Sequence, residues 1–257
     1  MSPPVFWVDA VPGADSSVQL DGDEGRHAVT VTRLVAGERI IVSDGAGTAG
    51  LCEVVHTAGK SSLEARVLEV VVTPMPKPAV TIVQALPKSE RSELAVELAT
   101  EAGVDAIVPW QSARCVSKWV GPKADKGVAK WQLAARAAAK QSRRAYIPDI
   151  SPLATTKDVA ARAHSVIGGG GVVAVLHEAA ATSLSALPLA TATEIMLVIG
   201  PEGGLDDSEI AALTAVGATS VLLGPEVLRT SSAGAVALGA IGALTSRWDV
   251  GPGWRAP

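Results

Sequence analysis

The spacing of apolar residues changes character near residue 73. Before it they come in short β-prone stretches, VFWVDA, RIIVSDG, GLCEVVHTAG and SSLEARVLEVVV, set apart by Gly, Asp and Ser. That pattern predicts a small barrel or sandwich. From residue 80 the chain alternates unbroken apolar runs with stretches of helical period. The runs VTIVQAL (80–86), AIVPW (106–110), GVVAVLHE (171–178), EIMLVIG (194–200) and SVLLG (220–224) predict strands buried on both faces. Residues 89–103, 126–145, 206–217 and 231–247 predict helices, the first closed by Gly103 and the second ended before Pro148. Such alternation predicts an α/β domain with a mainly parallel sheet. Between the two regimes lies TPMPKPA, whose three prolines in seven residues predict a stiff linker. The expected division is 1–73, a linker over 74–79, and 80–250. The run GGGG at 168–171 reads as a flexible loop.

Composition refines this picture. A chain of 257 residues with 48% hydrophobic and 19% charged residues can build a sizeable core, as one large domain or two modest ones. Aromatic residues number only eight, six of them Trp, which argues against a platform on which several bases stack. The net charge of -4 argues against nucleic acid until its distribution is considered. Arg114 to Arg144 holds nine basic residues and one acid, a net +8 against -12 for the remainder. A basic patch on an acidic protein can bind phosphates, although a solvated helix face has the same composition. Cys52 and Cys115 have no disulfide or zinc-ligand spacing, and no residues call for a metal. The start, MSPPVFWVDA, lacks the basic and apolar regions of a secretory signal. The longest apolar run, Ala233 to Leu244, is too short to span a bilayer. A cytoplasmic protein with no membrane partner is expected.

Ligands of open α/β sheets sit beyond the carboxyl ends of the strands. Three loops qualify: Leu176-His177-Glu178, Gly200-Pro201-Glu202-Gly203-Gly204, and Leu223 to Thr230. Glycine lets a backbone approach a ligand closely. Asp206 and Glu209 have the spacing of a capping box, so the second loop is also well defined without any ligand. Neither a dinucleotide fingerprint nor a P-loop follows the first strand.

The stretch LVIGPEGGLDDSEI followed by LLGPEVLRT resembles the bacterial family that methylates uridine N3 in 16S ribosomal RNA, within the SPOUT superfamily. LPKSERSELAVELATEAGVDAIVPWQSARCV and AAKQSRRAYIPDI are similar to further signatures of that family, and the likeness covers essentially the whole chain. It implies a SPOUT-type knotted, trefoil, parallel-sheet methyltransferase domain preceded by a PUA-like β-barrel that binds RNA. It further implies S-adenosylmethionine as cofactor, the small ribosomal subunit as substrate and a homodimer. The small residues of the last helix, Ala233, Gly234, Ala237, Gly239, Ala240 and Gly242, suit a knot or a dimer seam. Cofactor contacts are expected at Leu176, His177, Glu178, Ile199 and Gly200, and at Gly203, Leu223, Gly224, Val227 and Leu228.

Attack by uridine N3 requires loss of a weakly acidic imide proton or stabilisation of the growing anion. Arg229 is the expected cation at O2 or O4. Its structural alternative is an ion pair with Glu202 or Glu226. Glu202 is the second catalytic candidate, as base or as a partner of the cofactor amine; capping loop amides is its alternative. The family reads Leu-Arg-Thr-Glu-Thr-Ala where this chain has Leu228-Arg229-Thr230-Ser231-Ser232-Ala233, so no carboxylate stands at 231. At least one of Thr230 and Ser231 is expected to cap the last helix. Arg136, Lys140, Gln141, Arg143 and Arg144 form a phosphate-binding stripe at helical spacing, which Lys88 and Arg91 can join. In the barrel, Arg26, His27, Arg33 and Arg39 are candidates for RNA contact, Arg26 and Arg33 foremost. The rival readings are a ribose 2′-O-methyltransferase of the same fold acting on tRNA or rRNA, and a non-catalytic RNA-binding assembly factor.

Overall fold

The computed structural model describes residues 3–88 and 91–249. Ser89 and Glu90, which begin the helix expected over 89–103, lie outside them, as does residue 250. The chain divides into two units.

The described residues of the first unit are 3–75 and Ala139–Ile147. Strands β1 (Val5–Trp7), β2 (Ser17–Leu20), β3 (Arg39–Ser43), β4 (Thr48–Ala58) and β5 (Ser62–Val72) form one sheet in the order β1-β3-β4-β5-β2. β1 runs parallel to β3, and the remaining pairs are antiparallel. Phe6, Val18, Leu20, Ile40, Val42, Cys52, Leu63 and Ala65 point into one core. Helix α1 (Gly22–Arg26) runs directly into a π-helical turn, His27–Val31. Ala139–Ile147 joins this unit through main-chain bonds from Gly47 N to Ala145 O and from Ile147 N to Gly45 O, and through the Tyr146 hydroxyl on Thr73 O at 2.7 Å. Gly47, at φ +106, is required there because a Cβ would collide with the Tyr146 ring.

The described residues of the second unit, 76–88, 91–138 and 148–249, hold seven strands. They are β6 (Ala79–Ala85), β7 (Ala106–Trp110), β8 (Asp149–Ile150), β9 (Val172–Leu176), β10 (Thr182–Ser183), β11 (Glu194–Ile199) and β12 (Thr219–Leu222). The order is β10-β12-β9-β11-β6-β7-β8, and each pairing is parallel. Val80, Ile82 and Val83 on β6 and Ile195 to Ile199 on β11 are buried, because a parallel sheet is covered on both faces. The helices are α2 (Ser92–Glu101), α3 (Pro122–Gln141, whose last turn belongs to the first unit), α4 (Thr156–Gly168), α5 (Asp207–Ala215) and α6 (Thr230–Leu244).

Two expectations are corrected. Gly168–Gly171 is a tight helix end rather than a flexible loop. Gly168 closes α4, Gly170 takes φ +82, and a Cβ on Gly171 would stand 2.8 Å from Glu194 O. Residues 156–168, given no element from sequence, form α4 behind a complete Thr155–Asp158 capping box. Beyond α6, Arg247 closes the unit: it is 6% exposed, pairs with Asp105 at 2.7 Å, and donates to the carbonyls of Gly103 and Pro78.

Candidate active site

Strand β9 lies between β11 and β12, and the register sets Leu176 beside both Ile199 and Val221. The three carboxyl ends therefore finish side by side. Their loops enclose a single cleft of about 810 Å³. Leu176, His177 and Glu178 enter it from β9; Ile199, Gly200, Glu202 and Gly203 from β11; Leu223, Gly224, Val227, Leu228 and Arg229 from β12. The structure thus brings together the residues expected at the cofactor and both expected catalytic residues.

The cleft is built to present main chain. Among the described residues, the N–H groups of Gly200, Leu223, Gly224 and Leu228 meet no protein acceptor. Half-buried amides of this kind fit the acceptor nitrogens and hydroxyls of an adenosine. A Cβ on Gly200 would press on Leu205 at 3.0 Å, and Gly204 takes φ +71, so the β11 loop demands glycine on packing grounds too. His177 turns its ring back on its own loop, Nδ1 accepting from Ala179 N at 3.2 Å while its main-chain N–H donates to Val221 O.

Asp206 caps α5, accepting from Ser208 N, and Glu209 completes the capping box. The Ser208 hydroxyl and amide hold the Asp206 carboxyl below its ordinary range, with Arg114 adding to the effect. Glu209 is buried and satisfied by Asp206 N, Ala113 N at 2.8 Å and the Thr156 hydroxyl at 3.1 Å.

Arg229 is exposed and, among the described residues, makes no ion pair; neither Glu202 nor Glu226 holds it. Glu202 lines the cleft, and its Oε1 accepts from Lys88 N at 3.2 Å, which is the loop-capping role. The capping expected of Thr230 or Ser231 does not occur. Arg229 itself is the N-cap, its carbonyl accepting from Ser232 N and Ala233 N, and no side chain caps the end. Thr230 and Ser231 are buried in the first turn and line the cleft.

Lys88 and Arg91 stand at the cleft. Arg136, Gln141 and Arg143 are exposed along α3 and just beyond it, and Arg144 is half-buried. In the first unit Arg26 and Arg33 are exposed. Arg33 (φ +60) and Arg143 (φ +55) both adopt the left-handed conformation that disfavours a Cβ. Lys140 is committed elsewhere: its ammonium is 2.6 Å from Glu24 and 3.3 Å from His27 Nδ1, and lies over the Phe6 ring. It is not an open phosphate ligand in this structure. Arg114, counted from sequence only as charge, also lines the cleft. The available signal was its place just past β7, whose carboxyl end faces the same side as the ligand loops.

Among the described residues no group of His, Cys, Asp and Glu could hold a metal ion, and no helix is long and apolar enough to cross a membrane.

An all-parallel sheet with a cleft at the carboxyl ends of its strands defines an α/β domain with a candidate ligand site where such sheets bind their ligands. Residues 73–242 match the RNA methyltransferase domain family, and residues 20–68 match the RNA methyltransferase PUA domain. Ribosomal RNA small subunit methyltransferase E of Mycobacterium bovis is 51% identical, over 95% of this chain and 93% of its own. The protein of the same name from Bacillus subtilis is 31% identical over 86% of this chain and 88% of its own. A ribosomal RNA small subunit methyltransferase E from Neisseria gonorrhoeae, solved bound to S-adenosyl methionine, superposes with a TM-score of 0.83. It is 25% identical, and the match covers 95% of this chain and 98% of that one. The chain belongs to this RNA methyltransferase family, with the PUA and parallel α/β domains of the SPOUT type.

Proposed function

We infer that this chain is an S-adenosylmethionine-dependent ribosomal RNA methyltransferase that modifies N3 of one uridine in the 16S RNA of the small subunit. The observation that carries the reading is the cleft: three strand-end loops present amides at Gly200, Leu223, Gly224 and Leu228 that meet no acceptor among the described residues, and the third ends in Arg229, which makes no ion pair among them. When bound, the cofactor supplies an electrophilic methyl group. The four amides and the apolar walls of Leu176, Ile199 and Leu228 hold and desolvate its adenosine.

Uridine N3 becomes nucleophilic as its imide proton leaves, and negative charge spreads to O2 and O4. The Arg229 guanidinium stabilises that charge. Glu202 is the carboxylate that takes the proton or orients the cofactor amine. Ser231 supplies a hydroxyl where the family pattern has a carboxylate. Arg26, Arg33, Arg136, Arg143 and Arg144, with Lys88 and Arg91 at the cleft, bind RNA phosphates.

The reading includes a C-terminal trefoil knot and a homodimer. For the dimer the reading draws on exposed apolar side chains on and just beyond α6, Val236, Leu244 and Trp248. Methyl transfer to small subunits with identification of the modified nucleoside tests the function. A ribose-methylated product would move the reading to a 2′-O-methyltransferase.

A further inference from the structure

Arg114 has no role in the account so far. It sits on the loop after β7, and its side-chain hydrogen bonds among the described residues go to the Gly-Pro-Glu-Gly-Gly loop and the N-cap of the helix that follows. Its Nη1 donates to Gly203 O and its Nη2 to Asp206 Oδ2, each at 3.4 Å. Its stem lies against Gly203, where an added Cβ would stand 3.3 Å from Arg114 Cβ. The neighbouring Ala113 N is fixed to the buried Glu209. On the other side of the loop, Glu202 is tied to Lys88 N. The loop is therefore held from both flanks, by the loop after β6 at Glu202 and by the loop after β7 at Gly203 and Asp206.

We propose that Arg114 is a positioning residue for cofactor binding, holding the Gly200–Gly204 loop in the pose that presents its main chain to adenosylmethionine. This rests on the cleft being the cofactor site. Half-exposed, with two long bonds, Arg114 adds little to global stability. Its effect falls on the loop, whose glycines have no side chains with which to set their own conformation.

The test compares wild type, Arg114→Ala and Arg114→Lys by calorimetric titration with S-adenosylmethionine, by thermal melting without ligand, and by binding to small ribosomal subunits across a salt series. Arg114→Ala is expected to weaken cofactor binding about tenfold and to raise the cofactor KM in step, with kcat retained. Arg114→Lys, which can reach one of the two acceptors, recovers part of the loss. The ligand-free Tm moves by less than about 2 °C, and subunit affinity keeps its salt slope. Unchanged cofactor affinity with weaker, less salt-dependent subunit binding would make Arg114 a phosphate contact and overturn the proposal. So would a fall in ligand-free Tm large enough to account for the lost affinity. A wild-type protein that binds no adenosylmethionine would instead overturn the reading of the cleft itself.

Discussion

Replacing Arg229 by alanine separates the proposed chemistry from the architecture around it. Arg229 is exposed and makes no ion pair among the described residues, and it caps α6 only through its main-chain carbonyl, which alanine keeps. Its removal is therefore expected to change folding stability by no more than about 0.5 kcal/mol, the range of surface substitutions that break no specific interaction. The amides that hold the cofactor belong to other residues, so adenosylmethionine affinity is expected to stay within about twofold, less than ~0.5 kcal/mol. Turnover is a different matter. A unit charge about 4 Å from the developing oxyanion, at an effective dielectric of about 20, is worth about 4 kcal/mol. That corresponds to a loss of roughly a thousandfold in kcat. The assay is single-turnover methyl transfer to small ribosomal subunits, run beside cofactor titration and thermal melting of the same preparations. A parallel loss of turnover and cofactor affinity would refute the reasoning, since Arg229 would then shape the pocket and not the transition state. Unaltered turnover would refute it outright.

Further consequences can be checked separately. Arg247→Ala removes a buried guanidinium from Asp105 and leaves the Gly103 and Pro78 carbonyls without their donor; it is expected to cost about 3–5 kcal/mol, read as a Tm lower by roughly 10 °C, with Arg247→Lys intermediate. Arg143→Gly relieves a left-handed backbone at φ +55, so stability should hold or rise by up to about 1 kcal/mol while subunit binding weakens and its salt slope falls by roughly one; a loss of stability would contradict this. Burial pushes the Cys52 thiol up to about 11, so in the native protein it should not react with a disulfide reagent at pH 8, and should do so at once in denaturant. The Asp206 carboxyl is depressed in the folded protein, so its contribution is present above the ordinary carboxylate pKa and fades as pH falls through the lower folded value. Asp206→Asn should therefore lower stability at neutral pH and flatten the acid limb, so that the two proteins converge at low pH.

What the amino-acid pattern revealed, and what it hid, follows from the range of the interactions. β6, β9 and β11 were readable because a strand buried on both faces must be apolar at successive positions. Asp206 and Glu209 were readable because a capping box is local. α4 was not, since its buried positions Val159, Ala163 and Val166 stand among Lys, Asp, Arg and His. β2 exposes Ser17 and Gln19 beside buried Val18 and Leu20, too short an alternation to stand out. That Ala139–Ile147 belongs with the first unit could not be read at all, because it rests on bonds to Gly45, Gly47 and Thr73. The same limit hid Arg114, whose partners Gly203 and Asp206 are 89 and 92 residues away. It also hid the use of Lys140, whose ammonium bonds Glu24 116 residues earlier. The expectation that Thr230 or Ser231 caps α6 failed for a local reason: the helix begins one residue sooner, so both fall inside its first turn.

The central claim is tested most directly by incubating the protein with isotope-labelled S-adenosylmethionine and small ribosomal subunits that lack its modification, then identifying the labelled nucleoside by mass spectrometry. Label in 3-methyluridine is the predicted result. Label in a ribose-methylated nucleoside, or no label although the cofactor binds, would contradict it.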